Sequence, residues 1–132
     1  MAFQTNNPPT VASPDGQFSQ CAVVESGTRL LFISGQVPRN SSGETVGIGN
    51  MSAQAEQVFQ NIHLILQSYN ATFANTIKAT IFVTDMQRAD EVTNVRAKFY
   101  GDAAPASTFV GISALGNPDW LLEVELIAEV GA

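Results

Sequence analysis

Residues Pro105–Val130 read PASTFVGISALGNPDWLLEVELIAEV, and their alternation decides the fold class. Leu122, Val124, Leu126, Ala128 and Val130 share one face of the second run. Leu121, Glu123, Glu125, Ile127 and Glu129 share the other. A period of two defines a strand, here with one wholly apolar face. The opposite face mixes aliphatics with three carboxylates, as expected beside a cleft or a partner subunit. Before the Gly-Asn-Pro-Asp turn, Ala106, Thr108, Val110, Ile112 and Ala114 alternate with Ser107, Phe109, Gly111 and Ser113. Small polar groups and a glycine beside the acidic strand leave room for a ligand, or form the plain outside of a sheet.

Working outward, Thr76–Thr84 is a second alternating run, with Ile77, Ala79, Ile81 and Val83 on one side and Lys78, Thr80, Phe82 and Thr84 on the other. Ala55, Val58, Phe59, Ile62, Leu66 and Tyr69 recur at three and four, predicting a helix from about Ser52, capped by Asn50 or Ser52. A second helix is expected through Tyr100, capped by Asp90, with Val92, Val95 or Arg96, and Phe99 inward. Arg29–Gly35, RLLFISG, is apolar on both faces and reads as a central strand; Phe18–Glu25 is a weaker one, and a hairpin is expected between them. Residues 1–17 form a turn-rich, irregular N-terminal arm with a short extended piece at Ala2–Thr5. Gln36–Gly49 is a long loop without a phosphate-cradling glycine pattern.

The expected order is β-β-α-β-α-β-β: an α+β fold with a mixed β-sheet and two helices packed on one face, as a single domain over 1–132. The uncovered sheet face, carrying Ile33 or Phe32, Phe82 and the apolar part of the last strand, requires a partner. Charged residues make up only 14% of the chain, which also points to surface hidden in an oligomer.

A net charge of −6 opposes nucleic-acid backbones and anionic membranes. The lone Cys21 cannot form an internal disulfide. With neither a signal peptide at the N-terminus nor a run near the ~20 apolar residues of a membrane span, a soluble cytoplasmic protein is expected. His63 has no companion ligands at metal spacing, so no His-based metal cluster is expected; no step of the expected chemistry requires a metal or organic cofactor. Cys21 and His63 pair as nucleophile and base only if the fold joins them; otherwise Cys21 is an inert thiol and His63 a half-buried structural residue. Ser34 is either a ligand donor at a strand end or a plain strand terminator. Arg39, Arg88 and Arg96 are carboxylate anchors or ordinary surface ion pairs.

ISGQVP at Ile33–Pro38, QAxxxFxNI at Gln54–Ile62, IKATIFVTDM at Ile77–Met86, APAS at Ala104–Ser107 and LLEVELIAEV at Leu121–Val130 together resemble the RidA/YjgF family of imine and enamine deaminases. The resemblance spans Phe18 to Val130 and implies a chorismate mutase-like fold, a homotrimer around a central barrel, and small-molecule clefts between subunits. It implies Glu125 as the catalytic carboxylate that places the attacking water, and Ser34 and Gly35 as substrate-binding. Three matching positions differ from the family's pattern. Ser107 stands where deaminating members hold the substrate carboxylate with arginine, Phe18 where they carry tyrosine, and Phe109 where they carry a small residue. The family's helix-two asparagine matches Thr93 or, one residue on, Asn94. The resemblance therefore implies a hydrolase related to 2-iminobutanoate/2-iminopropanoate deaminases, with Ser107 arguing against the standard activity. The alternatives are a non-catalytic binding trimer and an endoribonuclease.

Overall fold

The structure is a computed structural model and describes residues 3–131. The chain runs β1 (Phe3–Asn6), β2 (Cys21–Val24), β3 (Arg29–Gln36), α1 (Met51–Gln67), β4 (Thr76–Val83), α2 (Ala89–Tyr100), β5 (Ala106–Gly111) and β6 (Leu122–Val130). The first strand adds an element to the expected order; Ala2 of the expected extended piece lies outside the described residues. β1 pairs antiparallel with β2, from Phe3 opposite Val24 to Asn6 opposite Cys21. The expected hairpin between Phe18–Glu25 and Arg29–Gly35 does not form. Period-two patterning fixes a strand's faces, not its neighbour, and β2 satisfies its backbone along β1 instead.

The main sheet has the order β3-β6-β4-β5. β6 runs antiparallel to both β3 and β4, whereas β4 and β5 are parallel and joined through α2. Two expectations change. Arg29–Gly35 is an edge strand of this sheet, not a central one. The Ser107 strand lies beside β4 rather than beside the acidic strand, because a parallel neighbour needs the crossover helix and β4 precedes that helix. β5 also stops at Gly111, where the Ile112 amide donates to the Val83 carbonyl at 2.8 Å.

Both helices cover one face. Ala79, Ile81 and Val83 of β4 and Leu122, Val124, Leu126, Ala128 and Val130 of β6 are buried there, as their alternation predicts; Ile77 is buried too, but at a register shift between Thr76 and Lys78 that breaks the alternation. On α1, Met51, Ala55, Val58, Phe59, Ile62 and Leu66 meet them; Tyr69 falls beyond the helix end and is exposed. The other sheet face is open, and Phe32 is the residue on it, at 70% exposure, while Ile33 is buried in the core.

Asn50 is the cap of α1: its side-chain oxygen accepts from the Ala53 amide at 3.0 Å. Asn50→Ala is expected to cost about 1 kcal/mol, read as a lower urea midpoint with an unchanged slope. Asp90 does not cap α2. A short 3₁₀ turn, Met86–Arg88, capped by Asp85 through the Gln87 amide at 3.0 Å, feeds directly into the helix, so Asp90 falls in the first turn. Its charge there still complements the helix dipole.

Candidate functional site

The register divides the predicted site residues between the two sheet faces. Ser107 opposes Ala79 and Phe109 opposes Ile81, so both project to the helix side, next to α2. Glu125 opposes Thr80 on the open face and is exposed. Across β6, Ile33 pairs with Leu126 and Gln36 with Val124, leaving Ser34 and Gly35 together opposite the single Glu125. This is a β-bulge, a device that re-aims side chains and is common beside functional sites. Gly35 leaves room there for the Glu123 side chain, which a Cβ at this position would displace.

On the helix side, Asp15, Gly16, Phe18, Thr93, Arg96, Ser107 and Phe109 line a cavity of about 340 Å³. Four of the predicted substrate-binding residues, Phe18, Thr93, Ser107 and Phe109, line it; Asn94 is exposed and is not among the lining residues. The wall bearing Phe18 is held by backbone chemistry. Ser19 forms a parallel bridge with Ala106, donating its amide to the Pro105 carbonyl at 2.9 Å and its hydroxyl to the Ala104 carbonyl. Gln17 Nε2 donates to the Gly101 carbonyl at 2.7 Å. The short link after α2 thus anchors the segment before β2 against the start of β5.

Arg96 is the cavity's unusual member. It is 6% exposed, and neither ion pair found among the described residues, Arg88–Glu91 and Lys98–Glu56, involves it. Its Nε is buried without a hydrogen-bond partner, as is the Ser107 hydroxyl. The guanidinium carbon lies 5.7 Å from the centre of the Tyr100 ring, within cation–π range. Burial pulls the Arg96 pKa below the usual arginine value, while Tyr100 opposes that shift; burial also pushes the Tyr100 phenol up to about 12. Arg96 is therefore no ordinary surface ion pair. Its spacing gave a partial signal, since it sits one turn beyond Thr93 on the inward edge of α2.

Arg88 does form an ion pair, with Glu91 at 3.0 Å, and also donates to the Gly49 carbonyl at 3.1 Å. Arg39 donates to the Gly43 carbonyl at 3.2 Å and borders a wider depression of about 720 Å³ with Gly35, Gln57 and Asn61. That depression is larger, and the Gln57 and Asn61 amides on its wall are already engaged. Gln57 donates to Asn61, and Asn61 donates to the Val37 and Arg39 carbonyls. Cys21 Sγ faces the Asn6 carbonyl at 3.4 Å, and His63 is half-buried on α1. No group of three or more His, Cys, Asp or Glu among the described residues is arranged to hold a metal. No described helix is long and apolar enough to cross a membrane.

A mixed sheet with two helices on one face is the topology of the RidA/YjgF fold. A family model described as Endoribonuclease L-PSP matches residues 9–130. The yeast (Saccharomyces cerevisiae) protein MMF1, mitochondrial, is 36% identical over 92% of this chain and 77% of its own length. A RutC family protein of Pyrococcus horikoshii is 33% identical, covering 94% and 93%. The crystal structure of a Rid family protein of unknown function, YyfB from Yersinia pestis, superimposes with a TM-score of 0.88 at 32% identity, covering 98% of this chain and all of that one. The chain belongs to the RidA/YjgF family.

Proposed function

We propose that this chain assembles as a homotrimer and hydrolyses a small imine or enamine in clefts between subunits, with weak activity on 2-aminoacrylate. The observation that carries this reading is Ser107, an uncharged hydroxyl at the family's arginine position and on the wall of the cavity. Support for the trimer comes from the division of the candidate residues. Ser34, Gly35 and Glu125 lie on the opposite sheet face from Phe18, Thr93, Ser107 and Phe109, so one copy does not assemble the whole set. The exposed Phe32 and Leu30 supply the apolar surface such a contact needs.

In this reaction water adds to the C=N carbon while the nitrogen takes a proton, and the resulting carbinolamine collapses to a carbonyl and ammonia. Glu125 accepts the proton of the attacking water and returns it to the leaving amine. Phe18 and Phe109 give the cleft apolar walls, and Thr93 and Ser107 offer hydroxyls to the substrate.

The test is ammonia release from freshly generated 2-aminoacrylate. The wild-type protein is expected to be slow, and Ser107→Arg combined with Phe109→Cys, restoring charge and volume, to be about tenfold faster or more. Robust wild-type turnover would sink the altered-preference reading. Light scattering that reports a monomer would remove the intersubunit cleft. Ligand binding without turnover on any imine would leave the non-catalytic binding trimer. The matched model's endoribonuclease description favours a ribonuclease reading, which the net charge of −6 opposes; salt-dependent RNA binding would be its signature.

A further inference from the structure

We infer that the cavity takes a small cation with an apolar body and no carboxylate, a protonated imine or an amine, and that Asp15 holds its charge. The inference rests on the proposed use of this cavity as the ligand site and adds the charge and class of the ligand. Two charged side chains line the cavity, and they are not equally available. Asp15 is exposed, and neither ion pair found among the described residues involves it. Arg96 is 6% exposed; its guanidinium stands over the Tyr100 ring, and its Nε has no open surface. The carboxylate is therefore open to an incoming ligand, whereas the arginine is almost wholly covered.

The turn before β2 brings Asp15 to the aromatic wall. The Phe18 amide donates to the Gly16 carbonyl at 2.9 Å, and Gln17 Nε2 donates to the Gly101 carbonyl at 2.7 Å, which pins Gly16–Phe18 beside the end of α2. Phe18 and Phe109 add two rings to the lining, and an aromatic face attracts a cation while packing against an apolar body. Ser107 brings no charge to oppose it, and about 340 Å³ is within the range of small-molecule sites. At longer range the net charge of −6 draws cations and turns carboxylates away. A protonated imine is the form more open to attack by water, and a carboxylate beside it favours that form. A carboxylate on the substrate would instead meet Asp15 as a like charge.

The experiment is calorimetric titration of the full chain with 2-phenylethylamine, its neutral isostere 2-phenylethanol, and 3-phenylpropanoate. The amine is expected to bind about tenfold more tightly than the alcohol, and the acid more weakly than either. Asp15→Asn should lower amine affinity about threefold to fivefold and leave alcohol binding within about twofold. Added salt should weaken the amine and spare the alcohol. Equal affinity for amine and alcohol, tighter binding of the acid, or binding of none of the three overturns the inference, and so does an Asp15→Asn variant that keeps the full preference for the amine. Should that variant fail to fold, the amine–alcohol difference in the wild-type protein decides alone. None of the probes carries a C=N bond, so failure of ammonia release leaves this inference standing, and turnover of carboxylate-bearing imines without amine binding removes it alone.

Discussion

Phe59→Ala is expected to lower stability by about 3–5 kcal/mol, the range for deleting a buried aromatic ring. Phe59 is fully buried at the centre of the helix layer. Its ring stands 5.7 Å from Phe99, 6.1 Å from Tyr100 and 6.2 Å from Phe73, and Phe73 in turn lies 5.4 Å from Tyr100. The cluster joins α1, α2 and the turn before β4, so a cavity there cannot close by moving one side chain. Edge-on and stacked ring pairs add to the area lost. Urea denaturation checks it: the midpoint should fall with little change in slope, and a loss under about 1 kcal/mol would show that the cluster repacks. Tyr100 is both a member of this cluster and the ring beneath Arg96, so the variant should also loosen the cavity wall.

The second large effect is expected at Gln54, a polar side chain with no exposure at all. Its Nε2 donates to the Gly47 carbonyl at 3.1 Å and to the Asp119 carbonyl at 2.8 Å, and its Oε1 accepts from the Leu121 amide at 2.8 Å. One amide therefore ties α1 to the loop before it and to the turn that launches β6. Gln54→Ala removes all three bonds and leaves two carbonyls and one amide without their partner. Each unmade buried bond costs about 1–3 kcal/mol, partly recovered where water enters, so a total of about 2–4 kcal/mol is expected. Hydrogen exchange gives the sharper reading: the Leu121 amide should lose protection more than the amides of β4. Uniform loss across the sheet would mean that the side chain acts through packing instead. Gln54→Glu retains acceptors but loses both donors, and should resemble the alanine variant more than the wild-type protein.

The faces of the elements were legible because they follow from local geometry. Val124 and Glu125 must point oppositely in any strand, and Val58, Phe59 and Ile62 must share a side of any helix. The pairing of strands was not legible in this way. The alternation in Cys21–Val24 suits β1 as well as β3, and nothing in Ala106–Gly111 states that β4, not β6, lies beside it. The site shows the same division. Phe18, Thr93, Ser107 and Phe109 do converge on one cavity, whereas Ser34, Gly35 and Glu125 project from the other face of the same sheet. Gln54 stood in a recognisable motif, but its role depends on the loop just before α1 and on a turn distant in sequence.

By itself the sequence determined the period of each segment, the apolar face of β6 and the absence of arginine at position 107. Those properties depend on residues a few positions apart, and such spacing is written directly in the chain. Only the tertiary structure decided that β4 separates the Ser107 strand from the acidic strand and that the bulge sets Ser34 and Gly35 opposite Glu125. It also decided that Arg96 is buried, outside both ion pairs found among the described residues, on the wall of the cavity that Ser107 also lines. Burial and charge pairing depend on which distant segments pack together, and the periodicity of one segment carries no information about its neighbour.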